Sequence, residues 1–176
     1  MNLSEVITEA EWRLLADQPS RTSHSGKRNL AVLHTMYFGG LGFAEVCDLS
    51  PWDLNRSARA LSRPNRPRHI REVLAVPEES WSVLEAWEEV RPPSPHFFST
   101  LTGNRLKKQY VKGFLRRYAD RSGITKPTRA VAATAEHRLL ERAYAPRLLD
   151  RGLPNHELAR TLTTVQFPQA APRRLP

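Results

Sequence analysis

Basic side chains carry most of the chemistry that this sequence offers. Lysine and arginine total 27 against 18 aspartate and glutamate, which gives a formal net charge of +9. Arginine is the commoner of the two, and its planar guanidinium fits phosphate groups and guanine edges better than the point charge of lysine does. This balance predicts a polyanionic partner, for which nucleic acid is the best fit, with a merely solvated basic surface as the alternative.

Three basic clusters are candidates for contacts to nucleic-acid phosphates. One lies among prolines in the middle of the chain, one near the start of a long predicted helix, and one at helical spacing further on. The predicted contacts are Arg63, Arg66, Arg68, Lys107, Lys108, Lys112, Arg138 and Arg142. Contacts to phosphates give an affinity that depends steeply on salt and that has little specificity for the nucleotide sequence. In the third cluster Glu136 and Glu141 could instead form ion pairs on a solvated face.

The other reactive side chains favour packing over chemistry. The single cysteine, Cys47, lies in an apolar helical stretch, which excludes a disulfide framework and indicates a core residue. The histidines His96, His137 and His156 have no carboxylates at metal-ligand spacing. Neither a metal site nor a cofactor is therefore predicted. The four tryptophans and three of the tyrosines have the helical spacing of core positions, the tyrosines being Tyr110, Tyr118 and Tyr144.

The size of the chain, 176 residues, suits a single domain with a proper core. No run of about 18 apolar residues exists, and the N-terminal stretch carries acids where a signal peptide would be basic and then apolar. A cytoplasmic, DNA-associated protein with no membrane partner is therefore expected.

Periodic apolar positions predict a mainly helical chain. Thr8 and Glu11 match a capping box that begins a short helix ending near Pro19, and Arg21–Lys27 is predicted as a loop. In the helix predicted at Asn104–Ser122, Leu106 and Tyr110 are expected to face inward. The other predicted helices are Asn29–Tyr37, Phe43–Asp48, Pro77 to the residue before Pro92, Leu140–Gly152 and Asn155–Leu162. Between Trp52 and Val76, short apolar and basic pieces broken by prolines predict a small antiparallel sheet.

Two blocks carry a resemblance to a known family. Gly39–Leu54, reading GGLGFAEVCDLSPWDL, has Leu41, Glu45, Leu49, Trp52, Asp53 and Leu54 in register with the first signature block of the tyrosine recombinase, or phage integrase, catalytic domain. Leu140–Gly152, reading LERAYAPRLLDRG, resembles the second block over its apolar positions. His96–Phe98 is similar to the short strand that precedes the next helix in integrases.

The resemblance implies an α+β, mainly helical, integrase-like catalytic domain with a small antiparallel three-stranded sheet. It would span residues 1–162 as a single domain, without the N-terminal core-binding domain of full-length members. Residues 163–176 include three prolines and are expected to form an extended or disordered tail.

The catalytic positions implied by the resemblance hold other residues. Gly42 stands at the position of the first catalytic arginine, and Arg173 stands at about the position of the nucleophilic tyrosine. The catalytic lysine of the sheet turn aligns with the region around Pro67. The remaining slots hold Arg138, Glu141 and Thr164, while His137 lies one position early, a rotation of about 100° on a helix. A carboxylate at position 141 would repel a phosphate. No catalytic residue is therefore predicted.

Three possible functions follow from the resemblance and from the missing catalytic residues. The first is a catalytically inactive DNA-binding protein that serves as an accessory or regulatory factor of site-specific recombination or of a mobile element, with an active recombinase or a second copy of itself as a further partner. The second is an active strand-transfer recombinase with displaced catalytic residues. The third is a protein-interaction module that binds no DNA.

Overall fold

A computed structural model describes residues 6–64, 73–126 and 130–131 of the chain. Its helices are α1 (Glu9–Ala16), α2 (His24–Gly39), α3 (Phe43–Asp48), α4 (Glu78–Glu88) and α5 (Lys108–Arg121), with a 3₁₀ turn at Pro51–Asp53. Three short strands complete it: β1 (Leu54–Asn55), β2 (Ala60–Ser62) and β3 (Val73–Ala75). The predicted class, mainly helical with a small antiparallel three-stranded sheet, is confirmed.

The first two helices begin at side-chain caps. Thr8 accepts from the Glu11 backbone N–H at 3.2 Å, and the Glu11 carboxylate accepts from the Thr8 N–H at 2.7 Å, so the predicted capping box is present. Helix α2 starts at His24, inside the predicted loop, because the Ser23 hydroxyl accepts from the Gly26 N–H at 3.1 Å.

Helix α2 is the centre of the core. Nearly all of its residues after Lys27 are buried, so its apolar side chains contact neighbours all around the helix. Trp12 of α1 stacks on Tyr37 with ring centroids 3.9 Å apart. Helix α4 packs against α2 and buries Trp81, Leu84 and Trp87, and α2 also contacts α3 and α1.

The sheet follows the chain in the order β1-β2-β3, and both pairs are antiparallel. Leu61 faces Leu54 across one pair and Leu74 across the other, and all three side chains are buried. Trp52, in the 3₁₀ turn before the sheet, is 53% exposed, so the prediction that all four tryptophans are core residues is wrong for this one.

The segment before α5 differs from the predicted elements. The described backbone forms no regular strand at His96–Phe98, and only an isolated bridge joins Ser99 to Arg105. Gly103 adopts a left-handed conformation with φ 83°, and the Thr100 N–H donates to the Asn104 carbonyl at 2.7 Å. This tight turn delays the start of α5 to Lys108, four residues after the predicted start.

Candidate nucleic-acid interface

The segment between α2 and α3 contains Gly42, the position at which the resemblance implies the first catalytic arginine; we call this position the first slot. Gly40 ends α2 in a left-handed conformation with φ 65°, and Gly42 precedes the first residue of α3. The Gly42 N–H donates to Glu45 Oε2 at 2.8 Å, so the carboxylate caps the helix that follows. A Cβ added at Gly42 would meet only that carboxylate oxygen, at 3.6 Å, so the position has room for a side chain.

Arg63 lies beside this slot. Its Nη1 is 2.9 Å from Glu45 Oε1 and 2.8 Å from Oε2, and it also donates to the Gly40 carbonyl at 3.4 Å. The Arg63 side chain is only 8% exposed. The structure thus places Arg63, a predicted phosphate contact, in a buried ion pair with Glu45 instead of on the exposed surface.

The start of α5 presents the second predicted basic cluster to solvent. Lys107, Lys108 and Lys112 are all exposed. The first turn of α5 contains no acidic residue, and no side chain caps it. Positive side chains and the positive end of the helix dipole therefore coincide, an arrangement that favours anions.

This basic edge adjoins the first slot through α3. Helix α3 packs against α5. Lys112 Nζ lies 5.5 Å from the centre of the Phe43 ring, and Arg105 forms an ion pair with Asp48 at the other end of α3. Lys112 thus lies over the side chain of Phe43, the residue that directly follows Gly42, so a polyanion lying along the basic edge would pass close to the Gly42 position.

The remaining predicted site residues lie outside the described part of the chain. These are the candidate contacts Arg66, Arg68, Arg138 and Arg142 and the catalytic slots at Pro67, Glu141, Thr164 and Arg173.

Two arginines were missed by the sequence reasoning. Arg28 is 3% exposed and Arg105 is exposed near the start of α5. Arg105 carried a signal, since it lies two residues before the Lys107–Lys108 pair. Arg28 carried none, because its surroundings come from residues about 70 and 80 positions further along the chain.

Histidine and cysteine chemistry is not assembled in the described residues. No group of three or more histidine, cysteine, aspartate or glutamate side chains there could hold a metal ion. Cys47 is buried, as predicted, and burial raises the pKa of its thiol. Burial lowers the pKa of His34 to about 4, and its Nδ1 lies 2.9 Å from the Ser80 hydroxyl. No helix of the described part has the length and hydrophobicity needed to cross a membrane.

Comparison with solved structures decides the fold. The XerA recombinase superposes with a TM-score of 0.66 at 14% identity, over 90% of this chain and 62% of that one. The chain has a tyrosine recombinase fold. The XerH site-specific recombinase, solved with its difH substrate before cleavage, superposes with a TM-score of 0.65 at 16% identity, over 90% of this chain and 50% of that one.

A curated tyrosine recombinase also matches the sequence. Tyrosine recombinase slr0733 of Synechocystis is 24% identical over 127 residues, which cover 68% of this chain and 41% of that protein. The chain spans about two fifths of the length of the curated recombinases that it matches. No protein-family model matches the sequence.

Proposed function

We propose that this chain binds DNA through its tyrosine recombinase fold without cutting it, and serves as an accessory or regulatory factor of recombination or of a mobile element. The observation that carries the proposal is the exposed basic edge at the start of α5, which lies beside a catalytic slot occupied by Gly42.

The DNA-binding part rests on charge and on likeness. Lys107, Lys108 and Lys112 face solvent near one end of a helix that has no acid in its first turn. The solved neighbours of this fold include an integrase of the Tn1549 transposon in complex with transposon right-end DNA and XerH bound to difH. DNA lying across the start of α5 would meet the three lysines.

The proposed lack of cleavage rests on the first slot and on the remaining catalytic positions implied by the resemblance. Phosphoryl transfer needs positive groups placed where charge develops. Gly42 supplies no side chain, and the neighbouring guanidinium of Arg63 is paired with Glu45. The positions implied for the second arginine and the nucleophile hold Glu141 and Arg173.

One observation favours the second function, an active recombinase with displaced groups. Arg63 approaches the Gly40 carbonyl, so a guanidinium lies next to the slot although it arrives from β2. Release of Arg63 from Glu45 would be needed before it could meet a phosphate. Strand cleavage by the intact chain would support this second function, and its absence supports the first.

A salt series of DNA binding tests the proposal. Each phosphate contact that is lost reduces the slope of log K against log salt by about 0.9, so changing all three lysines to glutamine should reduce it by about 2.7. Between about 50 and 200 mM salt, those three contacts account for a change of roughly 40-fold in affinity. Fluorescence anisotropy with a labelled duplex measures both quantities.

The control removes exposed charge elsewhere. Arg13 and Arg21, near α1, are exposed and form ion pairs one helical turn back along the chain. Changing both residues to glutamine should leave the slope of log K against log salt within about 0.9, the value of one phosphate contact, of that of the parent chain. No salt-sensitive DNA binding by the parent chain would refute the proposal and leave the protein-interaction module standing.

A further inference from the structure

A cleft of about 620 Å³ lies between α2, the turn at residues 100–107 and the start of α5. Its size falls within the range of small-molecule sites. Leu101 and Tyr110 line it and are 50% and 40% exposed, so they are two of the four large apolar side chains that the described part exposes. None of the described residues that line the cleft is acidic.

Arg28 lines this cleft as a buried positive charge. Its Nε and Nη2 donate to Asn29 Oδ1 at 3.2 and 3.1 Å, its Nη1 donates to the Ser99 carbonyl at 3.2 Å, and its Nη2 also donates to the Tyr110 hydroxyl. These are four of the five N–H donors of a guanidinium, and none goes to a carboxylate.

This arrangement leaves the charge of Arg28 without a described anionic partner. Burial lowers its pKa, and the neighbouring tyrosines oppose that shift. Taking a charge out of water without a counter-charge is costly, so an anion in the cleft would stabilise the site. Within the described residues one N–H of Nη1 has no hydrogen-bond partner, and it could donate to such an anion.

The mouth of the cleft adds further positive groups. Lys107 is exposed and directly precedes α5, whose backbone N–H groups have no side-chain cap. Arg105 also lines the cleft, with its charge shared with Asp48. A phosphate here would meet Lys107, the N-terminal end of α5 and the remaining donor of Arg28.

We propose that this cleft binds one nucleotide, with its phosphate among Arg28, Lys107 and the start of α5, and its base against Leu101 and Tyr110. A cationic end next to an apolar, aromatic wall matches a phosphate joined to a flat base, and stacking of a base on an aromatic side chain contributes about 1–3 kcal/mol. The nucleotide is either free or an unpaired residue of a DNA strand. Only the second source rests on the proposed function.

The test uses 2-aminopurine deoxyribonucleoside 5′-monophosphate, whose fluorescence falls when its base stacks. Titration of the full chain should quench it, and the corresponding nucleoside should bind about tenfold more weakly because it lacks the charged hydrogen bonds. Lys107→Gln and Leu101→Ser should each weaken binding by several-fold. Quenching that is equal for the nucleoside and the monophosphate would overturn the phosphate assignment and with it the proposal.

Matched controls separate this site from general effects. Arg121→Gln removes an exposed charge at the other end of α5, and Leu14→Ser removes an exposed leucine on α1. Both should leave monophosphate binding unchanged. Equal losses in the control and cleft variants would overturn the proposal, and thermal melts of all four variants establish that each is folded.

Two DNA arms identify the source of the nucleotide. In the first arm, a DNA single strand that carries 2-aminopurine is mixed with the chain. If its fluorescence is quenched on binding and the monophosphate then displaces it, the occupant is an unpaired DNA nucleotide. Quenching of the monophosphate alone supports a free nucleotide. No quenching of either probe overturns the proposal, even where the lysine-dependent binding of duplex DNA persists, so the two proposals fail separately.

Discussion

The ion pair between Glu45 and Arg63 allows a prediction that links stability to DNA binding. In the variant Glu45→Gln the amide oxygen still caps Gly42, but Arg63, which is 8% exposed, loses its ion pair with the Glu45 carboxylate. Removing one partner of a buried pair costs about 3–5 kcal/mol. We expect about 3 kcal/mol here, at the lower end, because the Glu45 side chain is 23% exposed.

A double-mutant cycle isolates the pair. Replacing both residues, as in Glu45→Gln with Arg63→Met, removes the buried cation together with the carboxylate that it pairs with, and such apolar replacements of buried pairs are often neutral. The double variant should therefore be more stable than Glu45→Gln alone, with a coupling free energy of about 2 kcal/mol. Urea unfolding followed by the fluorescence of the four tryptophans measures each free energy of unfolding.

The same variants report on the DNA-binding face. Because its charge is committed to Glu45, Arg63→Met should leave the salt dependence of DNA binding unchanged. A coupling free energy below about 0.5 kcal/mol, together with a reduced salt slope in Arg63→Met, would refute this reasoning. Arg63 would then be a phosphate contact, as its sequence context predicted.

Two further predictions concern the core and the turn before α5. Burial lowers the pKa of His34 to about 4, and the positive charge of Arg21 acts in the same direction. Because the unfolded chain then binds more protons than the folded chain, the free energy of unfolding should fall by up to about 3 kcal/mol as pH drops from about 6.5 to 4, and His34→Gln should flatten this dependence in urea titrations at several pH values. Gly103 has φ 83° and a Cβ there would lie 2.8 Å from the Pro93 carbonyl oxygen, whereas Gly123 has φ 67° and open space around it. Gly103→Ala should therefore lower the unfolding free energy by more than the roughly 1 kcal/mol expected of Gly123→Ala, and equal losses would show that the close contact contributes nothing.

Local sequence signals predicted several elements well. The capping box at Thr8 and the limits of α3, between Gly42 and Ser50-Pro51, depend on residues a few positions apart, and both appear in the structure as predicted. The start of α5 was predicted too early because hydrogen bonds between Thr100 and Asn104 stabilise a turn that apolar spacing does not reveal.

Burial of charge could not be predicted from the sequence. Arg63 meets Glu45 across 18 residues, and Arg28 meets Tyr110 across 82 residues, so only the folded chain brings these groups together. The basic composition predicted cations on the surface, and both arginines are exceptions to that expectation. Tyr110, expected to face inward, is instead partly exposed at the cleft that Arg28 lines.

The most direct test of the central claim is a search for covalent attachment to DNA. Duplexes selected for tight binding from a randomised library would carry a nick that traps a cleaved intermediate, and a tyrosine recombinase with its own nicked site would serve as the positive control. The intact chain should form a salt-sensitive complex that denaturing gels dissociate completely. An adduct that survives denaturation would contradict the account and establish an active enzyme.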